Sequence, residues 1–173
     1  MSRCGGERYS LWLKPTGDAC ERLARLLREL RTRHGGPEFA PHVTLLGSIA
    51  EPLQAVLLKA AALAATLRPW MLSLEGMDYL DEYFRCLFVR VAPSRPLREA
   101  YHAAREVFGY SDDRPFMPHL SLLYGDYRPS LKEAVIAEWG PRLDLTFKVR
   151  ALHVYSTRGE PCRWRCVRRF GLD

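Results

Sequence analysis

The sequence predicts an α+β protein of two similar lobes, each with a mainly antiparallel sheet and two helices, around a central cleft. Three observations lead to this prediction. The order helix, short strand, helix, strand pair occurs twice along the 173 residues. A six-residue motif recurs at equivalent places in the two halves, and no linker of low complexity separates them. We therefore expect one domain that comprises residues 1–173.

The first half begins with an alternating segment that runs into the turn Pro15-Thr16-Gly17, the pattern of a strand. Leucines spaced i, i+3, i+4 and i+7 then predict a helix, capped by Asp18 and ended by Gly35. Pro52 suits the first residue of a second, Ala/Leu-rich helix. The predicted strands and helices of this half are 9–14, 18–34, 42–47, 52–68, 70–77 and 84–91.

The second half repeats this order. Ser94 opens a helix that stops at Gly109, and a loop from Ser111 to Pro118 follows. Ser130 and Glu133 predict a capping box for a helix that ends at 140–141. The remaining predicted strands are 119–124, 143–155 and 163–170.

Three acidic residues, Asp78, Asp81 and Glu82, lie between the two strands of the first strand pair. Such a cluster is either a solvated hairpin end or a site for a cation. We favour the hairpin end.

Composition favours a water-soluble protein with anionic partners. The net charge is +6 and the pI is near 9.2. The best apolar run, Ala55 to Leu67, is interrupted by Lys59 and is too short to span a membrane. The N-terminus has no apolar segment typical of secretion. We therefore expect a cytoplasmic location, no membrane partner and a monomer.

Five cysteines are scattered along the chain, and only Cys162 and Cys166 lie close together. One C-x3-C pair is a poor zinc signature. On a strand these two residues would lie about 13 Å apart, which excludes a disulfide. We expect reduced thiols at every cysteine, as is usual in the cytosol. They are Cys4, Cys20, Cys86, Cys162 and Cys166.

The repeated motif is the most informative feature of the sequence. Pro41-His-Val-Thr-Leu-Leu46 and Pro118-His-Leu-Ser-Leu-Leu123 place a hydroxyl two residues after a histidine, and the histidines are 77 residues apart. The other histidines lack this pattern; they are His34, His102 and His153.

On a strand, residues i and i+2 share a face, so each imidazole stands beside its own hydroxyl. Two such strands around a pseudo-twofold axis would bring two histidines and two hydroxyls to one cleft. One histidine can act as a base and the other as an acid, while hydroxyls donate to anionic oxygens. This arrangement suits metal-independent cleavage of a phosphodiester. The alternative, a pair of buried core histidines, is favoured for a single motif but not for two symmetric copies.

With these motifs the sequence resembles the 2H phosphoesterase superfamily, and within it the plant-type cyclic nucleotide phosphodiesterases. The resemblance covers nearly the whole chain and is clearest at 9–12, 37–44 and 116–124. It implies the bilobal 2H fold, no cofactor and no metal. It also implies hydrolysis of ADP-ribose 1″,2″-cyclic phosphate, which arises from tRNA splicing, to ADP-ribose 1″-phosphate, and of nucleoside 2′,3′-cyclic phosphates to 2′-phosphates.

The resemblance also implies the roles of individual residues. His119 is expected to be the base and His42 the acid, an assignment that the symmetry of the motifs alone does not make. Thr44 and Ser121 would bind the phosphate. Trp12 and Tyr124 match aromatic positions of the cleft and are expected to contact the substrate.

Two features of the sequence allow a structural interpretation as well as a functional one. An aromatic residue on a strand, such as Trp12 or Tyr124, is usually part of the core. The arginine-rich C-terminal segment is either a charged edge strand or a contact for a pyrophosphate or RNA backbone. Its arginines are Arg158, Arg163, Arg165, Arg168 and Arg169.

Three functions therefore compete. The first is a cyclic phosphodiesterase acting on small nucleotides. The second is an RNA-end enzyme of the same superfamily, a 2′,3′-cyclic-phosphate hydrolase or 2′-5′ ligase. The modest net charge of +6 favours a small substrate over RNA. The third is a nucleotide- or RNA-binding module without activity, which would not need two histidines.

Overall fold

The computed structural model describes residues 7–111, 115–140 and 143–173. It contains four α-helices and eight β-strands within these ranges, together with short 3-10 helices at Tyr83–Arg85 and Pro161–Arg163. The strands are β1 (Tyr9–Leu13), β2 (Val43–Ile49), β3 (Trp70–Asp78), β4 (Leu87–Val91), β5 (His119–Leu123), β6 (Leu145–Val149), β7 (Ala151–Ser156) and β8 (Arg165–Gly171). The helices are α1 (Gly17–His34), α2 (Leu53–Thr66), α3 (Arg95–Phe108) and α4 (Pro129–Trp139).

The strands form one antiparallel sheet in the order β6-β3-β4-β5-β2-β1-β7-β8. The α+β class is confirmed, but the prediction of two separate sheets is wrong. The halves β6-β3-β4-β5 and β2-β1-β7-β8 are joined where β2 pairs with β5, at Val43 and Leu120. The two motif strands are therefore central and adjacent, as the duplicated motif predicts.

The segment from Leu143 to Tyr155 is two strands and not the single strand predicted. β6 ends at Val149 and pairs with β3, whereas β7 begins at Ala151 and pairs with β1. Arg150, between them, is outside both strands. The chain thus crosses from one half of the sheet to the other at this residue, and the halves of the sequence do not coincide with the halves of the sheet.

The hydrophobic core lies between one face of the sheet and the helices. Alternate strand residues such as Leu11, Leu13, Val43 and Leu120 belong to it, together with the leucines of α1 that the spacing identified. α1 packs against β5 and β6, α2 against β7 and β8, and α3 against β2. The intervening side chains, those of Trp12, Thr44 and Ser121 among them, are left to the opposite face.

Among the side-chain N-caps predicted for α1, α3 and α4, only that of α3 agrees with the structure. The Ser94 hydroxyl caps α3 by accepting from the Leu97 amide, and Gly109 ends α3 in the left-handed conformation. Asp18 instead lies in the first turn of α1, after Thr16. The capping box is also wrong, because α4 starts at Pro129 and Ser130 lies inside it. Pro141 lies outside the described residues.

The acidic loop after β3 is a hairpin end, as predicted, and its carboxylates are paired with cations. Asp78 pairs with Arg90, Glu82 with Arg85 and Asp81 with Lys132. The Lys132 side chain is only 1% exposed and donates to both Asp81 and the Leu80 carbonyl. A buried ammonium needs such partners, so Lys132 fixes this loop on α4.

β8 pairs only with β7 and forms one edge of the sheet. Its arginines are exposed, which fits the charged edge strand. Cys20, Cys86, Cys162 and Cys166 are free thiols, as expected, although Cys162 lies in a 3-10 helix and not on a strand. Cys4 lies outside the described residues. In the described part of the chain, no helix has both the length and the apolar composition needed to cross a bilayer.

Candidate active site

The antiparallel pairing of β2 with β5 brings the two motifs together. Val43 pairs with Leu120, and both side chains are buried in the core. Continuing this register by one residue places His42 opposite Ser121 and Thr44 opposite His119. Residues directly opposite in an antiparallel pair have Cα atoms about 4.5–5.5 Å apart. The two imidazoles and two hydroxyls therefore occupy one patch on the face away from the helices.

Both imidazoles are held in the same way. The Nδ1 atom of His42 lies 2.7 Å from the Ala40 carbonyl oxygen, and that of His119 lies 2.8 Å from the Met117 carbonyl oxygen. A carbonyl oxygen can only accept, so Nδ1 carries the proton in each ring. In both motifs this leaves Nε2 as the basic nitrogen available to a substrate.

Burial keeps both histidines neutral near pH 7. His42 is only 5% exposed, and desolvation lowers its pKa to about 3, with Lys14 and His119 as smaller causes. Desolvation also lowers the pKa of His119, which is half-buried, and the Arg85 guanidinium acts in the same direction.

The two hydroxyls differ in their contacts. Ser121 is buried and donates to the Phe84 carbonyl oxygen at 3.2 Å. Thr44 is half-buried, and its hydroxyl makes no hydrogen bond within the described part of the chain. The Thr44 hydroxyl can donate directly to a phosphate oxygen. The Ser121 hydroxyl must first give up its hydrogen bond to the Phe84 carbonyl oxygen.

A cavity of about 740 Å³ contains all six predicted site residues. Its described lining includes Arg8, Arg85 and Arg105, and neither Asp nor Glu is present among the residues described there. This volume lies within the range of small-molecule sites. The lining favours an anionic ligand, because it brings three arginines and no described carboxylate to the cavity, although Arg85 is also paired with Glu82 just outside it.

Trp12 lines this cavity, but both faces of its indole are covered. Its centroid lies 3.4 Å from that of His42 and 3.7 Å from that of Tyr155, with interplanar angles of 7° and 17°. Two rings so close to one centroid cannot share a face, so His42 and Tyr155 sandwich the indole. Trp12 is 1% exposed and has no free face for a nucleobase. In this structure the indole supports His42, and the expected contact of Trp12 with the substrate remains a prediction.

Tyr124 also lines the cavity and is buried, with its ring stacked on Phe39 at 3.9 Å. Burial raises the pKa of its phenol, while its hydrogen bond with Ser121 acts in the opposite direction. The phenol is therefore protonated at neutral pH and can serve as a hydrogen-bond donor.

Sequence reasoning missed the aromatic residues that do present free surface to the cavity. Phe84 is 51% exposed and Trp164 is half-buried, with centroids 6.0 Å apart. The sequence predicts a strand from Phe84, but β4 begins at Leu87 and Phe84 lies in a 3-10 helix. No pattern in the sequence indicates that Phe84 and Trp164, 80 residues apart, would meet.

The described residues offer no obvious metal centre. They contain no group of three or more His, Cys, Asp or Glu side chains arranged to hold a metal ion. The two motif histidines are accompanied by hydroxyls and guanidinium groups, which bind anions and not hard cations.

Comparison with solved structures gives the same fold. TT0787 of Thermus thermophilus superposes with a TM-score of 0.68 at 19% identity, covering 95% of this chain and 97% of that chain. Escherichia coli LigT complexed with 3′-AMP gives a TM-score of 0.65 at 18% identity, covering 96% of this chain and 98% of that chain.

Sequence comparison identifies the family. A cyclic phosphodiesterase of Arabidopsis thaliana is 28% identical over 118 residues, which cover 68% of this chain and 65% of the relative. The model of the 2′-5′ RNA ligase superfamily matches residues 21–161. The match spans most of the chain and includes both histidine motifs. The chain therefore belongs to the 2′-5′ RNA ligase superfamily, the 2H phosphoesterases, as its paired motifs predicted.

Proposed function

We propose that the protein is a metal-independent cyclic phosphodiesterase that acts on small nucleotides. The observation that carries this proposal is the placement of two Nδ1-anchored imidazoles and two hydroxyls in one arginine-lined cavity. These groups supply a base, an acid and hydrogen-bond donors for a phosphate, which is all that opening a cyclic phosphodiester requires.

In the proposed reaction, water attacks phosphorus opposite the leaving oxygen. Nε2 of His119 takes a proton from the water, and Nε2 of His42 gives one to the departing sugar oxygen. For a nucleoside 2′,3′-cyclic phosphate, the bond from phosphorus to O3′ breaks, which leaves a 2′-phosphate and a free 3′-hydroxyl. Thr44 and Ser121 donate to the nonbridging oxygens, where negative charge rearranges in the transition state.

The low pKa of His42 is compatible with its role as the acid. A group of low pKa is rarely protonated at pH 7, but it transfers its proton readily when it is. A phosphate anion bound beside His42 also raises the pKa of that imidazole, since an opposite charge favours the protonated form.

The nucleobase would stack on Phe84 or Trp164, whose rings line the cavity and are at least partly exposed. Stacking discriminates little among bases because each base has a π-face, so base preference should be weak. Two relatives support a small nucleotide substrate: the Arabidopsis relative is named a cyclic phosphodiesterase, and LigT was solved with 3′-AMP. The same reaction would open ADP-ribose 1″,2″-cyclic phosphate to ADP-ribose 1″-phosphate.

Turnover of 2′,3′-cyclic AMP in the presence of EDTA tests this proposal. We expect phosphorus NMR to show 2′-AMP as the dominant product at a rate that EDTA does not reduce. A short RNA that ends in a 2′,3′-cyclic phosphate is the matched substrate and should react more slowly.

Each other outcome contradicts a stated part of the proposal. Loss of activity with EDTA and its recovery with a divalent ion would overturn metal independence. A 3′-phosphate or an even mixture of isomers would overturn the binding pose. Much faster turnover of the RNA would assign the site to RNA ends.

A further inference from the structure

One end of the cavity contains polar groups that the proposed reaction does not use. We call it the Arg8 subsite and define it by Arg8, Ser10, Ser48 and Thr157, all of which line the cavity. Arg8, Ser10 and Trp12 alternate along β1 and its N-terminal extension, so their side chains share one face of the sheet.

The subsite lies a short, defined distance from the motif residues. Trp12 pairs with Thr44 across β1 and β2, and Thr44 lies opposite His119. Ser10 is two residues from Trp12, which corresponds to roughly 7 Å along a strand. Trp12, Thr44 and His119 thus form a row across the three strands. Leu13 pairs with Val43, so His42 lies on the side of this row that is away from Ser10. Ser10, the near end of the subsite, is therefore about one sugar unit along the strand from the row that contains Thr44, and the backbone of Arg8 is about 13 Å from that of Trp12.

The hydroxyls of the subsite have unused hydrogen-bonding capacity. Ser10 is only 6% exposed, and its hydroxyl contacts that of Thr157 at 3.5 Å, the outer limit for such a bond. Buried hydroxyls normally have closer partners. Both oxygens thus remain available to a ligand in the cavity.

The backbone beside these hydroxyls is held in an unfavourable conformation. Among the described residues, Ser48 is the one non-glycine residue with positive φ, at 59°. The Tyr110 hydroxyl donates to the adjacent Gly47 carbonyl at 3.2 Å and helps to fix this segment. Such strain is concentrated at binding sites, where the surrounding structure maintains it.

The charge of the subsite favours an anion. Arg85 is paired with Glu82, and Arg105 donates to the Tyr101 hydroxyl and the Tyr110 carbonyl. Arg8 makes no side-chain hydrogen bond or ion pair in the described part of the chain, although its backbone carbonyl accepts from the Thr157 amide at 2.8 Å. The strand position of Arg8 is thus fixed while its guanidinium remains free.

We propose that the Arg8 subsite binds a second phosphate, carried on the 5′ oxygen of the ribose whose cyclic phosphate is opened. This inference rests on the proposed function, which places the cyclic phosphate between the motif histidines. A 5′-phosphate is one ribose away from that phosphate, comparable with the separation of Ser10 from the row that contains Thr44, and the long side chain of Arg8 lines the same cavity. This 5′-phosphate has two possible sources. It is either the terminal phosphate or pyrophosphate of a small nucleotide, or a backbone phosphate of an RNA end.

The test compares kcat/KM for 2′,3′-cyclic AMP with kcat/KM for its 5′-phosphorylated form. A charge-assisted hydrogen bond contributes about 1.5–3 kcal/mol, so the 5′-phosphate should raise kcat/KM about tenfold or more in the wild-type protein. Arg8→Met and Ser10→Ala should each reduce this ratio toward one. Arg98→Met, at an exposed arginine of α3 that does not line the cavity, is the matched control and should preserve both the ratio and the activity.

A dinucleotide that ends in a cyclic phosphate distinguishes the two sources. Enhancement with the dinucleotide as well assigns the subsite to an RNA backbone, and enhancement with the mononucleotide alone assigns it to a terminal phosphate. Equal kcat/KM for the two mononucleotides in the wild-type protein, or an unchanged ratio in Arg8→Met, overturns the subsite and leaves the proposed function intact. No turnover of either mononucleotide overturns both.

Discussion

Replacing either His42 or His119 with alanine is expected to lower kcat for 2′,3′-cyclic AMP by a factor on the order of 10²–10⁴, the usual contribution of a general acid or base. The reason is geometric as well as chemical. Each imidazole is anchored through Nδ1 by the carbonyl two residues earlier, which fixes the position of its Nε2. Steady-state kinetics of the two variants measure this effect.

Two sets of variants serve as comparisons. His102→Ala, at an exposed histidine of α3 outside the cavity, should retain wild-type kcat. Thr44→Ala and Ser121→Ala should lower kcat by smaller factors, because each removes one hydrogen bond to the phosphate. A His42→Ala protein with near wild-type turnover would refute the two-histidine mechanism.

Trp12→Ala is expected to lower the free energy of unfolding by about 3–5 kcal/mol, the usual cost of truncating a buried tryptophan. The same change should lower kcat, because the indole stacks on His42 at 3.4 Å and limits the movement of that ring. If a nucleobase stacked on Trp12 instead, the loss of the indole would raise KM and leave kcat unchanged. Urea denaturation and steady-state kinetics measure the two effects.

Trp164→Ala is the matched comparison for Trp12→Ala. Trp164 is half-buried and lines the same cavity, so its loss should mainly raise KM and cost much less stability. A Trp12→Ala protein that is as stable as wild type and has only a raised KM would contradict this prediction. It would show that the indole binds the substrate and does not position His42.

The central part of the site could be predicted because it depends on local sequence. The spacing of His42 and Thr44, and of His119 and Ser121, places each pair on one strand face whatever surrounds it. The repetition of the motif then indicates that the two strands are equivalent. Their adjacency follows from the fold's symmetry, and the pairing of Val43 with Leu120 confirms it.

The features that could not be predicted depend on contacts between distant parts of the chain. Tyr155 covers Trp12 although 143 residues separate them, and no local pattern encodes this contact. The crossing at Arg150 could not be predicted because residues typical of strands continue on both sides of it, with no turn residue between them. At Ser130, a local capping signal was overridden by Pro129, which suits the first turn of α4.

The pH dependence of kcat/KM for 2′,3′-cyclic AMP tests the central claim, acid–base catalysis by two buried histidines, most directly. It reports the ionisation of the free protein, in which burial lowers the pKa of both histidines from 6.5. Both limbs therefore move to lower pH, and we expect a bell-shaped profile with its maximum on the acid side of pH 6.5. In His42→Ala the falling limb should disappear, leaving a rate that rises with pH as His119 loses its proton. A profile that is flat across the range, or that keeps both limbs in His42→Ala and in His119→Ala, would contradict the claim.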